Sequence, residues 1–197
     1  MSLSATPVLS FVGLRAAAMV AALVCVDAGS PLTAAEKPPA VGTQAKDFEL
    51  PNLAGDKTKL SALTADGPVV LVVLRGYPGY QCPICNQQAG DFLAKADDFK
   101  KAGARVVFIY PGPNEKLKEH AAEFAREKQF PDHFAFLLDP DYTFTQAYGL
   151  RWYARNETAY PSTFLLSKER KVLAGRVSTS HGGRVTANEV LQALGKN

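Results

Sequence analysis

Two cysteines stand three residues apart in Cys82-Pro83-Ile84-Cys85, and a dithiol at that spacing can cycle between thiols and a disulfide. The motif follows a continuous apolar run and opens a helical pattern. There, free backbone N–H groups and the helix dipole favour an anion, so a first-turn cysteine has its nucleophilic thiolate stabilised. Pro83 suits the first helical position, because its missing N–H would go unpaired there anyway. The i, i+3 spacing sets both side chains on one side of a turn, within reach of a disulfide. Two other uses of the pair stay open. A zinc site needs four ligands, and with no second cysteine pair only His120, His133 and His181 could complete it. A structural disulfide is the third use, although so short a loop constrains the unfolded chain little.

Other residues near the motif have two readings each. Arg75 could supply positive charge to a thiolate, or be a solvated arginine at a strand end. Tyr80 and Gln81 either shape a substrate surface or are plain exposed loop. His181, in Ser178-Thr-Ser-His-Gly-Gly-Arg184, is a candidate acid–base group because imidazole titrates near neutrality; a surface loop position is the alternative. Trp152, the single tryptophan, reads as a packing residue. Glu115 to Lys128 alternates charges like a solvated helix face.

The elements that must position these residues follow from pattern. Pro68-Val-Val-Leu-Val-Val-Leu74 reads as a strand buried on both faces, directly before the motif. From Pro83 to about Ala102 one helix is expected, with Phe92, Ala96 and Phe99 on a face and Gly103 closing it. Ala104 to Tyr110 is a second central strand, and Asn114 a cap for a helix through about Lys128. Upstream, Asp47–Leu50 and Lys57–Leu60 flank a Gly-Asp turn as a hairpin. Downstream come a strand at Phe134–Leu138, a short helix ending at Tyr148, a hairpin from Thr163 to Ala174, and a helix from Thr186 to Leu194. Strands alternating with helices make an α/β domain.

Composition narrows the class. The 197 residues suffice for one domain with a real core, and 47% apolar with 21% charged is globular. A net charge of +3 without a Lys/Arg block argues against nucleic acid as a partner. Residues 1–35 read as a leader: Arg15 precedes the apolar run Ala16 to Val26, and small residues follow at Thr33-Ala34-Ala35. That run is short of the roughly 20 residues a membrane crossing needs. Removing the leader takes Cys25 with it and leaves Cys82 and Cys85. Residues 36–42 then form a tether and 43–197 the domain. The expectation is an exported protein, periplasmic or extracellular, with no membrane segment after leader removal, in a setting where disulfides persist.

The chain resembles the peroxiredoxin branch of the thioredoxin superfamily, the alkyl hydroperoxide reductase and thiol-specific antioxidant family. The resemblance runs from about Val41 to Leu194 and rests on Asp47-Phe-Glu-Leu-Pro-Asn-Leu-Ala-Gly55, the strand Val69–Leu74, Ala147-Tyr-Gly-Leu150 and Ser162-Thr-Phe-Leu-Leu166. It implies a thioredoxin-like fold, a central mixed sheet with helices on both faces and an N-terminal hairpin. In the family's active-site frame Pro78 takes the proline's place, Cys85 the peroxidatic cysteine's, and Cys82 replaces a Thr whose hydroxyl would bond the peroxide. A second departure is Pro161, in Tyr160-Pro-Ser-Thr-Phe164, where the family usually has an Arg. A proline there resembles the cis-proline of thioredoxins.

The two templates assign the sulfurs oppositely. On the thioredoxin template Cys82 attacks and Cys85 resolves. On the peroxiredoxin template, which the surrounding sequence fits better, Cys85 attacks the peroxide and its sulfenic acid condenses with Cys82. The resemblance implies a thiol peroxidase for hydrogen peroxide or small hydroperoxides. It needs no prosthetic cofactor and no metal, and a thioredoxin-like or other dithiol reductant reopens its disulfide. The alternative is a thiol–disulfide oxidoreductase acting on disulfides of exported proteins; a thiol-based copper carrier is a third class with no evident third ligand. Pro78, Pro83, Pro161 and Arg75 are the expected supports of the pair.

Overall fold

The computed structural model describes residues 36–196 together with Met1, so the leader expected at residues 1–35 lies outside the described residues. Strands β1 (Glu49–Pro51) and β2 (Lys57–Lys59) pair antiparallel as the expected hairpin. Asn52 shapes the turn: its Oδ1 accepts the N–H groups of Gly55 and Asp56 at 2.9 and 3.0 Å. The five-stranded sheet has the order β5-β4-β3-β6-β7. Its centre is β3 (Val69–Val73), parallel to β4 (Arg105–Gly112) and antiparallel to β6 (Ser162–Leu166). Beyond them lie β5 (Phe134–Pro140), parallel to β4, and β7 (Val172–Val177), antiparallel to β6.

The run of Val and Leu in β3 is buried at every position because helices cover both faces. Val70 and Val72 pack with residues of α2 (Pro83–Ala94), α3 (Ala96–Lys101), α4 (Asn114–Ala125) and α6 (Ala187–Leu194). Val69, Leu71 and Val73 pack with α1 (Leu60–Leu63) and α5 (Thr143–Ala147). Each such side chain contributes roughly 1.5–3 kcal/mol on burial. This is the expected thioredoxin-like arrangement.

Three local expectations need correction. The single helix expected from Pro83 to Ala102 is two, α2 and α3, broken where Lys95 leaves helical geometry (φ −108°, ψ 14°). Phe92 and Phe99 nevertheless stack across the break at 5.5 Å, which keeps their shared apolar face. Asn114 does not cap α4: Glu115 and Lys116 are non-helical, with Lys116 at φ 60°, so regular turns begin at Leu117. The Asn114 N–H is instead taken by Asp141 Oδ1 at 2.9 Å. Strand β4 also runs past Tyr110, because Pro111 and Gly112 still pair with Asp139 and Pro140.

At the end of β5 the buried Asp139 accepts the N–H groups of Phe144 and Thr145 at 2.7 and 3.0 Å, which starts α5. Helix α6 carries a capping box between Thr186 and Glu189. Residues 36–42, expected as a tether, run against the end of α5. Gly149 sits at φ +63°, and a Cβ there would lie 2.2 Å from the Glu36 carbonyl oxygen.

Candidate active site

The buried strand β3 delivers the chain to the loop Arg75–Gln81, and α2 receives it. Leu74 still bonds to β4, its N–H to the Ile109 oxygen at 2.9 Å. Gly76 then turns at φ +76°, so close to β4 that a Cβ would lie 2.0 Å from the Pro111 oxygen. The loop is pinned to α4. Tyr77 stacks on His120 at 3.6 Å, and Gln81 Nε2 donates to the His120 carbonyl and Glu123 Oε2 at 2.8 and 2.9 Å. Pro78 is half-buried in the same loop. Tyr110 donates to Gln81 Oε1 at 3.0 Å from inside the core.

Pro83 occupies the first turn of α2, and Cys82 is the residue that caps it. The Cys82 sulfur accepts the Cys85 backbone N–H at 3.3 Å, one of the donors a helix start leaves unpaired. Both cysteines are free thiols and almost wholly buried, at 2% and 1% exposure. Their electrostatics diverge. The Cys85 thiol donates to Cys82, and with the Cys85 N–H, Arg184 and Arg75 it outweighs burial and brings Cys82 down to about 5. Burial pushes the Cys85 thiol well up, and serving as donor to Cys82 adds to that, against the pull of Arg184. The two environments therefore differ in direction: Cys82 is held low and Cys85 is pushed up. The better-fitting sequence template expects the attacking thiolate at Cys85; in the structure it is Cys82 Sγ that sits at the helix cap and accepts the Cys85 N–H.

Arg184, in the loop after β7, reaches both sulfurs. Its Nη1 lies 3.3 Å from Cys85 Sγ and its Nη2 3.7 Å from Cys82 Sγ. Gln88, one turn further along α2, steadies it: Nη1 donates to Gln88 Oε1 at 3.0 Å, and Gln88 Nε2 donates to the Val185 oxygen at 3.3 Å. The guanidinium over the two sulfurs comes from the loop that follows β7. Its one sequence signal was the flexible Gly182-Gly183 link that precedes it.

The remaining expected residues are distributed around this centre. Arg75 is not a solvated arginine. Only 3% of its side chain is exposed, and Nε meets Glu157 Oε2 at 2.6 Å. It acts on Cys82 through space, without touching either sulfur. Tyr80 receives Arg75 Nη1 on its hydroxyl at 2.7 Å, while the residue stays largely exposed. Pro161 is buried at the start of β6, follows a trans peptide bond, and accepts the Ser178 N–H at 2.8 Å. His181 meets Glu157 Oε1 through Nε2 at 2.8 Å. Trp152 is half-buried, stacked on Tyr160 at 4.8 Å and beside His181, so it packs at the site's edge and not in the core. His120 belongs to the loop wall, and His133 bonds to the Ala96 carbonyl at 2.9 Å. Among the described residues no group of three His, Cys, Asp or Glu could hold a metal ion. A groove of about 350 Å³ opens beside the pair, lined by Ile84, Gln88, Asp91, Gly183, Arg184 and Val185 among others.

Comparison with known proteins fits this geometry. Residues 41–174 match the AhpC/TSA family, a span that ends before His181 and Arg184. "Putative peroxiredoxin Rv1608c" of Mycobacterium tuberculosis is 32% identical over 134 residues, 67% of this chain and 81% of that protein. Among solved structures, the peroxidoxin BcpB of Mycobacterium tuberculosis superposes with a TM-score of 0.63 at 28% identity, covering 80% of this chain and 97% of that one. A peroxiredoxin Q of Xanthomonas campestris gives a TM-score of 0.61 at 25% identity, over 76% and 90% of the two chains. The shared span takes in the N-terminal hairpin, the buried strand and the cysteine-bearing helix start, and so the chain belongs to the AhpC/TSA family, as a thiol peroxidase on a thioredoxin-like fold.

Proposed function

We propose that this peroxidase reduces hydrogen peroxide or small hydroperoxides through a Cys82/Cys85 dithiol–disulfide cycle in which Cys82 attacks first. The carrying observation is the geometry of the pair: Cys82 Sγ at the helix start accepts the Cys85 N–H, and Arg184 lies over both sulfurs, which favours the thiolate at Cys82 while burial disfavours it at Cys85. The Cys82 thiolate attacks the terminal peroxide oxygen and the O–O bond breaks. Cys82 becomes a sulfenic acid, and the departing alkoxide or hydroxide takes a proton to leave as alcohol or water. Arg184 stabilises the charge that develops on the departing oxygen. The Cys85 thiol then attacks the sulfenic sulfur, releasing water and forming the Cys82–Cys85 disulfide. A thioredoxin-like or other dithiol reduces that bond, supplying two electrons and two protons.

The depth of the sulfurs suits a small oxidant. Exchange with disulfides of exported proteins is the second reading. It draws support from Cys82 being the low thiol, the assignment of the thioredoxin template. Export itself rests on the leader-like order of Arg15, the apolar run and Thr33-Ala34-Ala35, and N-terminal sequencing of the protein from a periplasmic or culture fraction tests it.

The test of the cycle is stopped-flow oxidation of the reduced protein by hydrogen peroxide, followed by Trp152 fluorescence and thiol counts. The expected result is a rate far above that of free cysteine and loss of both thiols. In Cys85→Ser a fast single oxidation persists and dimedone traps a sulfenic acid on Cys82; in Cys82→Ser the fast phase disappears. Neither variant sustains turnover with a dithiol. A fast phase kept in Cys82→Ser and lost in Cys85→Ser hands the attack to Cys85, and unchanged turnover in both sinks the cycle.

A further inference from the structure

Glu157 lies in none of the motifs that announce the site, yet its carboxylate joins the site's two walls. Its side chain is 10% exposed, and its oxygens point to different partners. Oε2 takes Arg75 Nε at 2.6 Å, and Oε1 takes His181 Nε2 at 2.8 Å. Arg75 begins the active-site loop and holds it through the Tyr80 hydroxyl at 2.7 Å, with a further bond to the Asn156 carbonyl at 3.0 Å. His181 lies in the opposite loop, where its carbonyl accepts Arg184 Nε at 3.0 Å. Only Gly182-Gly183 separates His181 from Arg184, with Gly183 at φ +68°, and a diglycine link does not by itself fix the guanidinium. Removing a carboxylate from water is costly, and burial opposes its charge; the hydrogen bonds of Arg75 and His181 still hold Glu157 below the usual carboxylate range.

We propose that Glu157 is a positioning residue of the peroxidase reaction: anchored by Arg75, it holds His181 and through it the Arg184 guanidinium over the Cys82 and Cys85 sulfurs. This rests on the reading of that pair as the reacting thiols. Gln88 also holds Arg184, so loss of Glu157 loosens the guanidinium without freeing it.

The sign of one readout separates positioning from charge. Deleting a negative group near a thiolate, by Coulomb's law alone, makes that thiolate easier to form. Loosening Arg184 makes it harder. The charged and titratable groups that act on Cys82 are Cys85, Arg184 and Arg75; Glu157, Tyr80 and His181 are tied to it through those arginines, and Glu123, Tyr110, Tyr77 and His120 adjoin the loop that ends at Gln81. The experiment compares Glu157→Ala, Arg184→Ala and the double variant with the parent protein. It measures the peroxide oxidation rate, the thiolate absorbance at 240 nm against pH, and far-UV circular dichroism.

Glu157→Ala should react about tenfold more slowly or worse, with its thiolate midpoint moved up. The double variant should be no slower than Arg184→Ala, because Glu157 acts through Arg184. A folded Glu157→Ala with the parent's rate and midpoint, a midpoint moved down, or losses that multiply in the double variant would overturn the proposal. Should Glu157→Ala not fold, His181→Ala cuts only the outer arm, at a side chain 44% exposed. It should shift both readouts in the same direction by less, and parental values there overturn the route through His181. A parent that reacts no faster than free cysteine refutes the peroxidase cycle instead; the direction of the 240 nm shift still decides the positioning role.

Discussion

Replacing Arg184 with Gln removes the guanidinium charge while leaving a polar side chain in the groove. At the 3.7 Å between Nη2 and Cys82 Sγ, unit charges attract by about 1 kcal/mol in water and about 4 kcal/mol at an effective dielectric near 20. Since about 1.4 kcal/mol is one pH unit, removal should raise the Cys82 midpoint by roughly one to three pH units. The Cys85 thiol is the first cause of the low value, and Arg184 comes after burial and the Cys85 N–H, so the lower end applies. The midpoint should move from about 5 to about 6.

At pH 7 such a variant is still about 90% thiolate, so ionisation alone costs almost no rate there. Any large loss has to come from the transition state, where charge grows on the departing oxygen. Removing one preorganised donor from such a site costs on the order of 100-fold. The assay is stopped-flow oxidation of the reduced protein from pH 4.5 to 8, with the 240 nm titration alongside. The expected result is a drop of about 100-fold at pH 7 and a pH profile displaced upward by about one unit. A rate within about twofold of the parent at pH 7, on an unmoved profile, would refute the assignment of Arg184 to both sulfurs.

Two further outcomes are fixed by geometry away from the sulfurs. Gly76→Ala forces a side chain into positive φ and against the Pro111 oxygen, at a cost of about 2 kcal/mol or more; the melting temperature should fall by about 4–8 °C, and an unchanged melt would contradict the close approach. Burial raises Asp139 to about 6 despite the bonds from Phe144 and Thr145, so its folded form holds a proton more tightly than the unfolded chain does. Its contribution to stability therefore grows as pH falls through about 6 towards the ordinary value of 3.8, by up to about 3 kcal/mol. In melts across that range the difference between the parent and Asp139→Asn should move in the parent's favour as pH falls; a constant difference would show that Asp139 does not titrate there.

What the sequence reveals here is what local chain physics decides. The unbroken Val and Leu run of β3 can only be a strand buried on both faces, and Pro83 behind a cysteine marks a helix start, so the placement of the pair is readable directly. The break at Lys95 is not, because neither glycine nor proline marks it and the stacking of Phe92 on Phe99 persists across it. Asn114 has the right residue type for a cap, but Asp141 takes its N–H from across the chain reversal. The polarity of the pair depends on which sulfur the Cys85 N–H and thiol reach, a matter of ångströms that residue spacing does not encode. Arg184 and Glu157 meet their partners across about a hundred and about eighty residues, and only the folded sheet brings those segments together.

The nearness of the second thiol also decides how this site fails. A sulfenic acid formed at Cys82 can be attacked by Cys85 within the same helical turn or by another peroxide from solution. The first yields a recoverable disulfide and the second an irreversible sulfinic acid. A thiol already hydrogen-bonded to the reacting sulfur acts at an effective concentration of roughly molar or above, far beyond that of any peroxide in a living cell. On the proposed cycle, over-oxidation to the sulfinic acid is therefore the rarer branch.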